Sequence, residues 1–259
     1  AKRWRKLGCF SFHPSESVKF ALITYFARVF SVKKAVLPFL FPLGLVLALI
    51  MLEPDMGTAV VISAISVVMY FAGGNPLWHF LSIIPIGLIG LVLVLFSDYR
   101  RERLFTFFNP AVDPLGSSYH IRQILIALGS GGIFGLGLGQ SRQKYLFLPE
   151  PATDSIFAII GEELGFVGGL AIILAFGFIV FRGFNIAFYA LDPFGKLFAA
   201  GITAWIGIQA FINLSAMVAL VPLTGIPLPF LSYGGTALVL NLSAIGILLS
   251  ISKDKEIKK

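Results

Sequence analysis

The chain has 259 residues, of which 57% are hydrophobic and only 13% are charged, and its formal net charge is +7. A soluble domain carries about a quarter charged residues, so this composition excludes a water-soluble globule of this size. The 26 phenylalanines exclude a disordered or collagen-like chain, and the single cysteine, Cys9, excludes a disulfide scaffold within the chain. The composition therefore predicts an all-α, polytopic membrane protein in which residues 1–259 form one integral membrane domain.

Seven apolar windows are long enough to cross a bilayer as helices. A hydrocarbon core of about 30 Å needs about 20 apolar helical residues, and continuous rather than alternating apolar runs favour helices over strands. In chain order the windows are 15–31, 36–52, 57–74, 77–96, 155–181, 197–221 and 235–251. The first is the weakest, because it carries Lys19 and Arg28 near its ends. We expect both side chains to reach the membrane surface.

Seven spans place the two termini on opposite sides of the membrane. One side holds the N-terminus and the connections near 53–56, 97–154 and 222–234. The short segments of that side contain four basic residues, whereas the other side contains nine. The positive-inside rule therefore predicts that the second side is cytoplasmic, so residues 97–154 form a long extracellular loop. The apolar but helix-breaking segment 222–234 is predicted to form a re-entrant wall on the same side.

The loop 97–154 is the longest connection, and loops of this length tend to carry function. A helix is predicted from Tyr119 to Leu128 inside it. The glycines that follow lack the Gly-Lys-Ser/Thr ending of a phosphate-binding loop. They indicate either a tightly turning connector or a close approach of the backbone to a membrane surface or ligand. These glycines are Gly129, Gly131, Gly132, Gly135, Gly137 and Gly139.

Charged residues gather at both ends of this loop. Its six basic residues suit an anionic ligand such as a phosphate or pyrophosphate, although anchoring to lipid headgroups explains the same pattern. The candidates for ligand binding are Arg100, Arg101, Arg103, Arg142, Lys144 and Glu150.

Asp154 is the best single candidate for chemistry. Pro149 and Pro151 make its approach rigid and extended, and a long apolar helix is predicted to start at Ser155. Asp154 therefore lies at or near the helix N-cap, where a carboxylate stabilises free N–H groups. A carboxylate at the lipid–water boundary is equally suited to act as a general base towards a hydroxyl.

Glu162 and Glu163 lie about two turns into the same helix. Carboxylates inside a span are expected to face protein or a cavity, and here they indicate either structural pairing with a basic side chain or direct function. At 100° per residue, Glu162 falls on the side of Asp154 while Glu163 points away.

Small and amide side chains in the later spans predict contacts between helices. The repeat of Gly161, Gly165 and Gly169 predicts a face for close helix packing. Gln209 and Asn213 favour hydrogen bonds between helices, as does Asn241. The three histidines show no metal-ligand spacing.

Several segments, taken in order, resemble the SEDS family of shape, elongation, division and sporulation proteins. The match covers nearly the whole chain. The resembling segments are Phe12–Glu16, Glu53–Thr58, Tyr99–Leu104, Asn109–Gly116, Gly129–Ser141, Leu148–Glu150 with Thr153–Asp154, Gly161–Gly165, and Pro222–Gly235. Segment Gly139–Lys144, followed by Leu-Pro-Glu-Pro, is more similar to the division type (FtsW) than to the elongation type (RodA). Ala152 and Ser155 depart from the His and Phe that are common in the family.

The resemblance implies a peptidoglycan glycosyltransferase that polymerises lipid II at the outer face of the bacterial cytoplasmic membrane. The family usually has ten spans, so we expect about three N-terminal helices to be absent from this sequence. Asp154 matches the family's essential aspartate. The implied substrate-binding residues are Arg100, Arg101, Arg103, Arg142, Lys144, Glu150, Glu162 and Glu163.

The same resemblance implies a class B penicillin-binding protein, a transpeptidase, as partner, together with membrane lipids and no nucleic acid. It leaves a divalent cation, Mg²⁺ or Mn²⁺, open as a cofactor, but no ligand cluster in the sequence indicates one. A lipid II flippase, which makes no bond, is the alternative function. The carboxylates inside a span suit a transporter, whereas Asp154 at the outer boundary favours the enzyme.

Overall fold

The computed structural model describes most of the predicted helices. Its described residues are 5–7, 10–12, 14–32, 36–53, 55–76, 107, 117–146 and 152–253. The predicted window 77–96 and four candidate residues lie outside the described residues; these four are Arg100, Arg101, Arg103 and Glu150.

Within the part of the chain that the structure describes, the regular elements are helices and one antiparallel hairpin. Strand β1 (Arg5–Leu7) pairs with β2 (Phe10–Phe12), with Arg5 opposite Phe12. The helices are α1 (Pro14–Val32), α2 (Leu37–Leu52), α3 (Met56–Ala72), α4 (Ser117–Ser130), α5 (Gln143–Leu146), α6 (Ile156–Tyr189), α7 (Pro193–Met217) and α8 (Gly235–Lys253). Every predicted window that falls on described residues coincides with a helix, and so does the helix predicted inside the long loop.

Helices α6, α7 and α8 are long and apolar enough to cross a membrane, and α2 and α3 are shorter apolar helices. The long runs form helices because each pairs its own backbone groups, as a hydrocarbon environment requires. Asp55 caps α3, and its carboxylate accepts hydrogen bonds from the backbone N–H and the hydroxyl of Thr58. This cap places the start of α3 directly after a short turn.

The chain divides into two compact units. The first comprises residues 1–75, 174–211 and 226–259, and the second comprises 76–173 and 212–225. An aromatic cluster joins α1, α2 and α3 in the first unit. Its ring centroids lie 4.8–6.0 Å apart, and aromatic pairs at such distances add to the stabilisation from area burial. The cluster consists of Phe26, Phe30, Phe39 and Tyr70.

A buried polar network ties α1 to α7 in the first unit. Lys19 is only 2% exposed, and its Nζ lies 2.6 Å from Glu16 and also donates to Gln209. Gln209 accepts a hydrogen bond from Trp205 and donates to the carbonyl of Pro227 at 2.9 Å. The predicted long-range hydrogen bond of Gln209 is therefore confirmed. The expectation that Lys19 reaches the membrane surface is wrong, because its ammonium finds these partners inside the protein.

Candidate active site

A break in helix α6 organises the site in the second unit. Gly165 has φ 69° and ψ −165°, a region that is open essentially to glycine alone. The helical hydrogen-bond pattern is interrupted there, so backbone groups on both sides of the break need partners outside the helix.

The glycine-rich segment 131–139 supplies those partners. Its backbone forms four hydrogen bonds with α6, at 2.9–3.1 Å. The pairs are Leu136 N–H to Glu162 C=O, Gly137 N–H to Glu163 C=O, Phe166 N–H to Gly132 C=O, and Val167 N–H to Ile133 C=O. The glycines therefore permit a close approach of the backbone to this chain's own helix. The positive φ angles of Gly132, Gly135, Gly137 and Gly139 agree with the other interpretation, a tightly turning connector.

The predicted glycine face of α6 needs a correction. Gly161 packs as expected on another helix, since a Cβ there would lie 2.4 Å from Leu128 of α4. Gly165 instead meets the loop, with the backbone N of Gly135 at 2.3 Å from an added Cβ. Gly169 makes only an ordinary contact with Phe157. The repeat is therefore not one continuous helix-packing surface, because the break at Gly165 turns it into a helix–loop contact.

Glu162 anchors the end of the glycine-rich loop to α6. The residue is 1% exposed, and its carboxylate accepts hydrogen bonds from the hydroxyl of Ser141 and from the backbone N–H groups of Arg142 and Gln143. A buried carboxylate is tolerated when it is satisfied in this way. These contacts hold segment 139–144 at a defined place beside α6.

Glu163 anchors the same segment from the next position of the helix. Its Oε1 accepts the ammonium of Lys144 at 2.8 Å and the backbone N–H of Ser141 at 3.4 Å. The Lys144 ammonium also donates to the carbonyl of Gly139 at 2.9 Å. Structural pairing, one of the two roles left open for these carboxylates, is therefore present. One loop segment thus reaches both glutamates, while the expectation that Glu163 points away from Asp154 stays a prediction.

Replacing Glu162 by glutamine is expected to lower the free energy of unfolding by about 2 kcal/mol, because the amide leaves buried donors of residues 141–143 poorly paired. The melting temperature should then fall by roughly 4–8 °C. The same change at Glu163, whose ion pair is partly exposed, should cost less than about 1 kcal/mol. Thermal unfolding of the two purified variants measures the difference. Equal losses would contradict the anchoring role given to Glu162.

Asp154 lies directly before α6. The helix begins at Ile156, so Ser155 occupies the cap position and Asp154 precedes it. The wheel relation predicted between Asp154 and Glu162 stays a prediction, because Asp154 lies just outside the helix. Its half-buried carboxylate accepts a hydrogen bond from the Thr153 hydroxyl at 3.2 Å. Asn213 of α7 donates to its main-chain carbonyl at 2.9 Å, so the partner of Asn213 is the segment before α6 rather than the predicted second helix.

His120 is the site residue that sequence reasoning missed. Its Nε2 lies 2.8 Å from the hydroxyl of Ser155, next to Asp154 in the chain. The spacing of the histidines does not reveal the role of His120, because its partner is a serine 35 residues away. The sequence did single out Ser155, as a departure from the SEDS pattern.

Arg142 contributes its backbone, rather than its side chain, to the contacts with α6. The Arg142 side chain is exposed, whereas its backbone N–H is bound to Glu162. The described residues hold no group of three or more His, Cys, Asp or Glu side chains that could bind a metal ion.

Comparison with known proteins covers almost the whole chain. The family model for FtsW, RodA and SpoVE, described as cell cycle protein, matches residues 1–257. Stage V sporulation protein E of Bacillus subtilis is 46% identical over 98% of this chain and 72% of its own length. A protein of Geobacter metallireducens named probable peptidoglycan glycosyltransferase FtsW is 40% identical over 97% of this chain and 70% of its own length.

Solved structures show the same helical architecture. A structure described as a peptidoglycan synthase complex that coordinates polymerization and crosslinking aligns with a TM-score of 0.74 and 28% identity, covering 98% of this chain and 73% of that one. The rod shape determining protein RodA of Thermus thermophilus aligns with a TM-score of 0.65 and 28% identity, covering 98% and 69% of the two chains. The predicted polytopic helical fold is thereby confirmed.

Proposed function

Because the chain belongs to the FtsW/RodA/SpoVE family of peptidoglycan glycosyltransferases, we propose that Asp154 is its catalytic base in the polymerisation of lipid II. The family membership, the enzyme class and the role in cell-wall synthesis agree with the expectations from the motifs. The single observation that carries the proposal is the setting of Asp154. Its carboxylate is half-buried at the start of a membrane-spanning helix, and its neighbours hold its backbone in place.

The proposed reaction joins two lipid-linked sugars. The 4-hydroxyl of the acceptor GlcNAc attacks C1 of the donor MurNAc, and the bond between C1 and the pyrophosphate oxygen breaks. Undecaprenyl pyrophosphate leaves with the bonding electrons, and Asp154 takes the hydroxyl proton. A carboxylate is suited to this role only when it is held against the hydroxyl, because position contributes much of such a rate enhancement.

Stabilisation of the leaving pyrophosphate falls to basic side chains of the long loop. Among the described residues, Arg142 is the strongest candidate, since its guanidinium is exposed while its backbone is fixed to Glu162. A guanidinium pairs well with phosphate oxygens. Lys144 has a structural partner in Glu163, and its contribution to the substrate would be long-range. Arg100, Arg101, Arg103 and Glu150 remain proposed substrate contacts on the resemblance alone.

The family and the distribution of charge also support a cellular location and a partner. The chain is a membrane protein, and we place it in the bacterial cytoplasmic membrane with Asp154 at the outer face, a placement that the charge bias and the chemistry of lipid II support. A division role is favoured by the segment Gly139–Lys144. A transpeptidase of the class B penicillin-binding type is the proposed partner, and the similarity to a complex that couples polymerization with crosslinking supports it.

The test is polymerisation of labelled lipid II by the purified full-length protein in detergent, with and without the transpeptidase. Glycan polymer that a muramidase degrades would support the enzyme. The competing function is a lipid II flippase. Transfer of labelled lipid II across proteoliposomes without any polymer would overturn the proposal in favour of the flippase.

A further inference from the structure

Asn213 reaches Asp154 from a different helix. It lies near the end of α7, is 1% exposed, and donates its side-chain amide to the main-chain carbonyl of Asp154 across 59 residues of sequence. A buried amide that donates a hydrogen bond of 2.9 Å to a main-chain carbonyl constrains the peptide that it contacts. The bond fixes the backbone from which the carboxylate extends.

His120 contacts the residue after Asp154, Ser155. His120 precedes this segment in the chain, whereas Asn213 follows it. Its ring belongs to α4, and its Nε2 contacts the hydroxyl of Ser155, which is fully buried. The backbone of Ser155 takes part in the first turn of α6, since its carbonyl accepts the N–H of Ala158 at 3.0 Å. The His120 contact therefore ties the start of α6 to α4.

Thr153 completes the constraint on the carboxylate itself, through its hydroxyl and Oδ1 of Asp154. Two successive residues, Asp154 and Ser155, are thus held by the neighbouring Thr153, by α7 and by α4. These contacts restrict both the main chain at Asp154 and its carboxylate. A catalytic group supported in this way keeps its geometry within the narrow range that efficient proton transfer needs.

We propose that Asn213 and His120 are positioning residues for Asp154: they hold its backbone so that the carboxylate meets the acceptor hydroxyl, without touching the substrate themselves. The inference rests on the proposed function, in which Asp154 is the base. It also gives a role to Ser155, which stands where the SEDS family often has Phe. Here the serine provides the hydroxyl that His120 holds.

The proposal makes a kinetic prediction. Because neither residue contacts the substrate, their loss should lower kcat and leave KM for lipid II within about two-fold. A displacement of about 1 Å at a reacting group costs up to about a hundred-fold in rate. We therefore expect Asn213→Ala and His120→Leu each to lower kcat ten-fold or more in the full-length protein. His120→Gln, which restores a hydrogen-bonding nitrogen near Ser155, should recover most of that loss.

Thr203→Ala is the matched control. Thr203 is also buried in α7, but its hydroxyl bonds only locally, to the carbonyl of Ala199. This variant should keep the wild-type kcat even if its melting temperature falls. Ser155→Ala removes the His120 contact from its other side. It is the milder substitute for His120→Leu, should that variant not fold, and is expected to lower kcat in the same way.

The experiment measures kcat, KM and melting temperature for all five variants, wild type and Asp154→Asn. An unchanged kcat in Asn213→Ala and His120→Leu, with Asp154→Asn inactive, would overturn the positioning role and leave the proposed base intact. A loss of kcat that only follows the loss of stability, equally in Thr203→Ala, would also overturn it. Wild-type activity in Asp154→Asn would instead overturn the assignment of the base.

Discussion

Replacing Asp154 by asparagine is expected to lower kcat for lipid II polymerisation by at least about a hundred-fold. The amide keeps the size of the side chain and can still accept from Thr153, so the segment before α6 should retain its structure. It cannot take a proton at neutral pH, and a positioned general base contributes about 10²–10⁴ in rate. The KM for lipid II should change little, because the role proposed for Asp154 is in the chemical step rather than in substrate binding.

The control for this variant is Asp192→Asn, the same chemical change at an exposed carboxylate. Asp192 lies at the start of α7 and accepts the backbone N–H of Gly195, so its replacement should affect stability only slightly. Polymer formation from labelled lipid II and thermal unfolding are measured on the same preparations. Activity of Asp154→Asn within a few-fold of wild type, at equal folding, would remove Asp154 from the chemical step.

Replacing Gly165 by alanine is expected to destabilise the protein by about 4 kcal/mol. The backbone conformation of Gly165 costs any other residue about 1–3 kcal/mol. A Cβ would also lie 2.3 Å from the backbone N of Gly135 and 2.5 Å from the carbonyl oxygen of Ile133. The loop can give way only by weakening its four hydrogen bonds to α6, each worth about 0.5–1.5 kcal/mol. The melting temperature should fall by roughly 10 °C.

Gly177→Ala provides the comparison within the same helix. An added Cβ at Gly177 meets nothing within 4 Å, and alanine favours a helix more than glycine does. Its melting temperature should therefore be unchanged or slightly higher. Equal melting temperatures for Gly165→Ala and wild type would contradict the break in α6 and its contact with the glycine-rich loop.

Local features of the sequence predicted the helices well. An apolar run in a membrane protein satisfies its own backbone groups, so the windows for α2, α3, α6, α7 and α8 could be placed without knowing their neighbours. The helix break was different. In sequence, Gly165 looks like any other glycine of a small-residue repeat. Only its contact with the glycine-rich loop shows that the helix is interrupted there.

The candidate site, too, could be predicted only in part from the sequence. Asp154, Glu162 and Glu163 stood out because carboxylates beside or within an apolar span are rare. Their partners could not be read from spacing. Glu162 binds a segment about 20 residues away, and Asp154 is held by Asn213 at a separation of 59 residues. A helix wheel describes one isolated helix, so it could not show that one loop segment binds both glutamates.

By itself, the sequence determined that this protein lies in a membrane, where its helices run and which family motifs it carries, because composition, hydrophobic runs and short motifs are local properties. The tertiary structure decided what those residues contact. It buried Lys19 against Glu16 and Gln209, opened α6 at Gly165, and brought His120 to Ser155. Such pairings join residues distant in the chain, and they depend on how the whole chain packs.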